Sequence, residues 1–154
     1  MKNLKKFLTE SNAIESIYDD DSLKQAMYAW EYLIKQKEMS CGVVLKTHKI
    51  LMLHQPLQPD EKGYFRHVGV WVAGREGISW PFIRDAMEAW CMNAWLYPKH
   101  WKDHHIRYEH IHPFVDGNGR TGRLFMNWQR LKAGLDILVI KESEKYEYYK
   151  WFKG

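Results

Sequence analysis

Residues 112–123 read HPFVDGNGRTGR, and this one stretch gathers the side chains that handle a phosphate chain. His112 can move a proton near neutral pH. Asp116 supplies the hard oxygen that Mg²⁺ takes, usually from one or two carboxylates together with substrate phosphates. Gly117, Asn118 and Gly119 let the backbone curl so that successive N–H groups face an anion. Arg120 and Arg123 offer planar, permanently charged forks for phosphate oxygens. Taken singly, Gly-Asn-Gly reads as a turn, the arginines as a solvated helix face and His112 as a helix-terminal residue. Taken together, they form a contiguous set of base, metal ligand, phosphate nest and charge clamp.

The flanking periodicity must position that set, and it is mostly helical. Ser22 with Gln25 makes a capping-box opening, followed at helical spacing by Leu23, Ala26, Met27, Trp30, Leu33 and Ile34. Ser40 can cap a second helix carrying Val43, Val44, Thr47, Ile50 and Leu51 before Pro56, Pro59 and Gly63 break the pattern. Residues 64–73 switch to period two and predict a strand or short hairpin, with a second β run at Ile137–Ile140. Pro81 suits the first turn of a helix that continues through Ile83, Met87, Trp90, Cys91 and Ala94. Another helix fits 99–111. After the phosphate-handling segment, Leu124, Trp128 and Leu131 mark a helix that Gly134 can end, with Arg120, Arg123 and Asn127 on its polar stripe. The Gly-rich turn therefore falls at a helix N-terminus, where unpaired N–H groups and the macrodipole favour an anion.

Bulk properties bound the reading. A chain of 154 residues fits one domain, and 45% hydrophobic content with eight tryptophans argues for a packed core. The net charge of +4 suits phosphorylated ligands, but no Lys/Arg-dense stripe points to nucleic acid. Cys41 and Cys91 form no Cys-x-x-Cys pair and read as buried free thiols in a reducing compartment. Neither a secretory signal nor a membrane span is visible, so the expectation is a cytoplasmic protein without a membrane partner. His104, His105, His110 and His112 lack metal-ligand spacing, and His104 and His105 read as core histidines.

HPFVDGNGRTGR also matches the signature His-x-Phe-x-(Asp/Glu)-Gly-Asn-Gly-Arg-x-x-Arg at every fixed position, and so the chain resembles the Fic-domain family. KDHHIRYEHIHPF and GRTGRLFMNWQRLKAGL resemble the flanking Fic helices, and KGYFRHVGVWVAG resembles the flap beside the family's site. The resemblance spans roughly residues 11–135. It implies a mainly α fold, a Fic-type helical bundle with a small β-hairpin flap, as a single domain over 1–154. Within it, 11–18 would be an inhibitory helix, 62–73 the flap and 112–123 the signature loop and helix N-terminus.

The resemblance also implies a protein adenylyltransferase that moves AMP from ATP to a Ser, Thr or Tyr hydroxyl. His112 would be the general base, and Asp116 would hold Mg²⁺. The backbone of Gly117–Gly119 and the Asn118 side chain would cradle phosphate oxygens, and Arg120 and Arg123 would contact the β- and γ-phosphates. Gly119 separates this branch from the similar Doc-type phosphotransferases, which carry Lys there. The family's inhibitory pattern (Ser/Thr)-x-x-x-Glu-(Gly/Asn) is met by Ser11 and Glu15 but not by Ser16. It implies that Glu15 pairs with Arg123 and withdraws a phosphate clamp.

On residue types alone, Ser11 is an N-cap and Glu15 a first-turn acid of an ordinary short helix. Tyr64, Phe65 and Arg66 would flank a target segment added to the flap edge, or simply close the core. The target protein is open, the chain itself included, and an oligomer is compatible with the sequence. Two rivals stand beside AMP transfer: transfer of another phosphate-containing group, and a nucleotide-binding module held off by Glu15. The aromatic KYEYYKWFKG tail is expected to pack as a helix through Tyr146, Tyr149 and Phe152.

Overall fold

The computed structural model describes residues 1–72 and 74–153; positions 73, the end of the expected flap, and 154 lie outside the described residues. The helices are α1 (Leu4–Ile14), α2 (Asp20–Ile34), α3 (Cys41–Leu51), α4 (Ile83–Leu96), α5 (Trp101–Ile111), α6 (Asn118–Lys132) and the short α7 (Lys145–Tyr149). Two two-residue strands, β1 (Trp71–Val72) and β2 (Arg75–Glu76), pair antiparallel as a small hairpin. The mainly α bundle with a β-hairpin is the architecture expected. No helix is long and apolar enough to cross a membrane among the described residues.

α6 runs through the middle of the bundle. Every residue from Arg120 to Gln129 is buried, with Phe125 and Trp128 among the largest enclosed side chains. A helix buried all round has no solvated stripe. The polar stripe of Arg120, Arg123 and Asn127 expected from the sequence is therefore internal, and each of its members requires a partner. Asn127 finds one in the segment 137–140. Its Oδ1 accepts the Leu138 N–H at 2.8 Å and its Nδ2 donates to the Leu138 carbonyl at 3.0 Å. That segment is not a strand; it runs extended with a side chain, rather than a second backbone, satisfying it.

Local chemistry explains the other boundaries. α2 begins earlier than the sequence reading placed it, because Asp19 caps it by accepting the Ser22 N–H at 2.9 Å. The expected Ser22–Gln25 box is not formed, and Gln25 donates instead to the Ile50 carbonyl at 2.7 Å. Ser40 does cap α3. Trp80–Phe82, with Pro81, forms a tight 3₁₀ turn that leads into α4, as Pro at a helix start favours. Gly134 ends α6 at φ +81.

The core unites Trp30, Trp90, Tyr108, Phe114, Phe125 and Trp128 from five parts of the chain. A second cluster joins Ile14 of α1 and Met126 of α6 to Ile140, Tyr148 and Phe152. The tail thus packs through Tyr148 and Phe152, spaced by one helical turn, while Tyr146 points out with 72% exposure. Phe152 packs as the sequence suggests, and the buried face is rotated by about a quarter turn from the one expected. Cys41 and Cys91 are buried free thiols, as the sequence suggests.

Candidate functional site

The signature loop is held by contacts that few of its own residues advertise. Asn118, 3% exposed, closes residues 114–118 into a ring: its Oδ1 accepts the Phe114 N–H at 2.9 Å and its Nδ2 donates to the Phe114 carbonyl at 2.8 Å. Its amide is therefore consumed inside the loop. The reading of Asn118 as a phosphate-contacting side chain is corrected to one of loop shaping. Phe114 is fully buried and stacks on the His48 ring, with centroids 3.7 Å apart and planes 6° from parallel.

His48 is a site residue that the sequence reading did not find. Its Nδ1 accepts the Gly63 N–H at 2.9 Å, so the ring proton sits on Nε2, which donates to the Asp116 carbonyl at 2.8 Å. Burial keeps the imidazole neutral by pulling its pKa down to about 4. One neutral histidine thus ties the end of α3 and the segment at Gly63 to the loop. No sequence motif signals this, because both of its partners are main-chain groups.

Arg66 is the second such staple. It is 2% exposed, and its guanidinium donates to the carbonyls of His112 (2.7 Å), Val68 (2.7 Å), Ile78 (2.6 Å) and Ile111 (3.1 Å). Its own N–H donates to the Pro113 carbonyl at 2.9 Å. The expectation that Arg66 contacts a target is overturned, because every arm of the fork is spent on the backbone. Phe65 leans against Phe114 at 5.6 Å and is likewise inward. Of the three expected flap residues only Tyr64, at 57% exposure, faces solvent. The strand or short hairpin expected over 64–73 is a short hairpin whose first strand is Trp71–Val72, since Phe65 and Arg66 both turn into the core.

With the loop fixed, the reacting groups surround one cavity of about 250 Å³. It is lined by His112, Asp116, Gly117–Arg120 and Arg123, and by Glu15, Glu109 and the tail residues Tyr148, Tyr149 and Phe152. His112 is the C-cap of α5 in the left-handed region, φ 51 and ψ 64. Such strain in a non-glycine residue marks a position that the surroundings over-determine. Its Nδ1 lies 3.2 Å from the Glu109 carbonyl, which can only accept, so Nδ1 carries the proton and Nε2 keeps its lone pair. Burial also lowers the His112 pKa, favouring this neutral, base-competent form.

Asp116 is 60% exposed at the cavity edge; Oδ1 accepts the Gly117 N–H at 2.8 Å, and Oδ2 lies 3.9 Å from Arg120. Gly117, at φ +85, turns the chain into α6, and a side chain there would meet Met52 Sδ at 2.7 Å. The N–H groups of Asn118, Gly119 and Arg120 precede Thr121, the first to bond within the helix, and so have no intrahelical partner. Arg120 lies one turn further, 3% exposed, and its Nε and Nη1 are buried with no hydrogen-bond partner among the described residues. A buried guanidinium with two idle donors at the N-terminus of a helix is a seat for an anion.

Arg123 is differently placed, because every nitrogen of its fork is bonded. Nε donates to Ser11 Oγ (2.7 Å), Nη2 to the Ser11 carbonyl (3.0 Å) and to Glu15 Oε2 (2.7 Å), and Nη1 to the Tyr148 hydroxyl (3.3 Å). The expected Glu15–Arg123 pair is present. Its scaffold differs from expectation: Ser11 lies inside α1 rather than capping it, and Glu15 is the C-cap rather than a first-turn acid. A carboxylate at a helix C-terminus opposes the dipole, so the pair with Arg123 must hold it there. Gly119 leaves the space it fills, since a Cβ at 119 would lie 2.7 Å from Glu15 Oε2.

Comparison with known proteins agrees with this geometry. The sequence pattern of the Fic/DOC family matches residues 40–129. The protein adenylyltransferase Fic of Drosophila erecta is 30% identical over 128 residues, covering 79% of this chain and 26% of that protein. This chain therefore spans about a quarter of the length of the curated relatives it matches. Among solved structures, a Fic domain containing signaling protein from Bacteroides thetaiotaomicron superposes with a TM-score of 0.81 at 18% identity, covering 97% of this chain and 70% of that one. Fic-1 of C. elegans gives 0.80 at 18% identity, over 97% and 54% of the two chains. A matched pattern over more than half of the sequence, with the signature loop folded around one cavity, shows that the chain belongs to the Fic/DOC family.

Proposed function

We propose that this chain is a protein adenylyltransferase, held in a resting state by Glu15. The observation that carries the reading is the idle, buried guanidinium of Arg120 in the same cavity as the lone pair of His112 Nε2. An anion seat beside a neutral base is what transfer from a nucleotide to a hydroxyl requires. A target Ser, Thr or Tyr hydroxyl would attack the α-phosphorus of ATP, its proton passing to His112 Nε2 and pyrophosphate leaving. The N–H groups of Gly119 and Arg120, with the Arg120 fork, would hold the phosphates. Asp116 fits as a ligand for Mg²⁺: its Oδ2 faces solvent at the cavity edge, and no group of three His, Cys, Asp or Glu side chains forms a closed metal site among the described residues. Mg²⁺ bound there with the phosphates would neutralise charge between the α- and β-groups.

Two features support the resting state. Arg123 has four of its five N–H groups engaged by Ser11, Glu15 and Tyr148, leaving at most one on Nη1 for a γ-phosphate. The cavity, about 250 Å³, is also smaller than the roughly 300–1,000 Å³ of ordinary ligand pockets, and Glu15 forms part of its wall.

The test uses Mg²⁺ and ATP labelled at the α- or γ-phosphate, with the wild type, Glu15→Gly, and Glu15→Gly combined with His112→Ala. Covalent α-label that rises in Glu15→Gly and vanishes without His112 is the expected result. Covalent γ-label in its place would assign phosphate transfer. Neither label, despite measured ATP binding, would leave a nucleotide-binding module.

A further inference from the structure

Among the described residues, Glu109 is the one carboxyl in the cavity wall that neither the base, the anion seat, the Mg²⁺ ligand nor the Glu15 pair accounts for. It lies on α5, one turn before His112, and its Oε1 is enclosed without a hydrogen-bond partner among the described residues. A buried polar atom left idle needs an explanation, because its desolvation is uncompensated. The groups around it supply one. Arg123 of α6, Glu15 at the end of α1, and Tyr148 and Tyr149 of the tail share its cavity and couple to its charge, with His112 and Arg120 on the same wall. One buried guanidinium thus has two carboxyls within its field, and only Glu15 is bonded to it.

We propose that Glu109 is a positioning residue for Arg123: when Glu15 leaves, the Glu109 carboxyl gives its proton to solvent and becomes the counter-charge of Arg123, and an arriving nucleoside triphosphate displaces it as the neutral acid. Two carboxylates beside one cation do not both gain by ionising, so the second keeps its proton while the first is paired. Burial holds the Glu109 pKa up, to about 7, with Arg123 pulling it down and Glu15 pushing it up. Removing the Glu15 charge removes the upward push, and bringing in phosphate charge restores it. The balance is one O–H bond broken on release of Glu15 and one re-formed on nucleotide binding, with the proton exchanged with water. The exchange keeps Arg123 from standing as an uncompensated buried charge between those two states, which would be costly.

This inference rests on the nucleotide-site reading above, and its test reads nucleotide binding, which does not depend on AMP transfer. ATP with Mg²⁺ is titrated calorimetrically into Glu15→Gly and into Glu15→Gly with Glu109→Gln, between pH 7 and 8.5, in buffers of different ionisation enthalpy. His112 titrates below that window and Tyr148 above it, both displaced by burial. The single variant is expected to take up roughly half a proton per nucleotide and to lose affinity about threefold per pH unit. The double variant is expected to do neither, and the difference cancels the ionisation of the nucleotide itself.

Equal proton counts in the two variants overturn the proposal. Should the double variant not fold, the ¹³C carboxyl signal of Glu109 in Glu15→Gly decides alone. A midpoint that rises when ATP is added supports the exchange, and an unchanged midpoint overturns it. Absence of ATP binding at every pH refutes the nucleotide site and the exchange with it.

Discussion

A single imidazole, His48, determines whether the signature loop has its shape. It accepts from Gly63, donates to the Asp116 carbonyl and stacks on Phe114, so three parts of the chain depend on it. His48→Ala is expected to cost about 2–4 kcal/mol in urea denaturation, from two stranded buried main-chain groups and the cavity left against Phe114. His48→Gln, which offers both an acceptor and a donor, should recover part of that loss; full stability in His48→Ala would show that the loop holds itself. The contrast with residues 112–123 explains what was legible. His112, Asp116, Arg120 and Arg123 could be read because their chemistry lies in their side chains and their spacing is contiguous. Asn118 was misread because a side-chain amide suits either a phosphate or a backbone turn, and only the fold shows that Phe114 claims both of its ends. His48 and Glu109 carried no signal at all, and Arg66 was singled out without its role being fixed, since what each one meets is set by tertiary contact with groups distant in sequence or with the backbone.

At the scale of elements, the end of α1 shows how a departure from a family pattern can be absorbed by geometry. The Ile17 N–H bonds the Asn12 carbonyl at 3.0 Å and the Ser16 N–H bonds the Ala13 carbonyl at 2.9 Å, the paired bonds of a Schellman cap. Ser16 occupies the left-handed position of that cap, at φ 60. The Gly or Asn of the inhibitory pattern is thus the residue type that this backbone position favours, and Ser16 adopts the same conformation at a steric cost of about 1 kcal/mol. Ser16→Gly is accordingly expected to raise the stability of α1 by up to about 1 kcal/mol. It should also lower basal auto-modification in the labelling assay, because Glu15 is then held more firmly; an increase would separate cap strain from the brake. Helices whose apolar spacing was regular, such as α3 and α4, were readable from sequence. Of the two β expectations, the small hairpin is present in shortened form and the Ile137–Ile140 strand is not formed. The alternation over 64–73 is not realised as a continuous strand because the adjacent Phe65 and Arg66 both turn inward, and the Ile137–Ile140 run is extended because Asn127 pairs with Leu138.

For the whole molecule, the buried titratable groups set how stability responds to pH, and they do not all act in one direction. His48 and His105 are held neutral by burial, with pKa values pulled down to about 4 and about 3. Below an ordinary histidine value near 6.5, the unfolded chain takes up protons that these two folded residues refuse, so stability falls with pH in that range. His112, also lowered, adds to the same trend. Glu109 opposes it. Held up to about 7 by burial, it is protonated in the folded protein where the unfolded chain has already released its proton. Its contribution is therefore stabilising as pH falls from about 7 towards the ordinary carboxylate range. His48 and His105 against Glu109 leave a net uptake of about one proton on unfolding between pH 6.5 and 4.5, before the share of His112 is added. That corresponds to a loss of about 1.4 kcal/mol per pH unit. Urea midpoints measured across that window should show this slope in the wild type. Removing the opposing group by Glu109→Gln should roughly double it, while stabilising the fold above pH 7, where the buried carboxylate is a burden. A slope unchanged by Glu109→Gln would mean that the carboxyl is solvated in the folded protein, and would remove its claim on Arg123 at the same time.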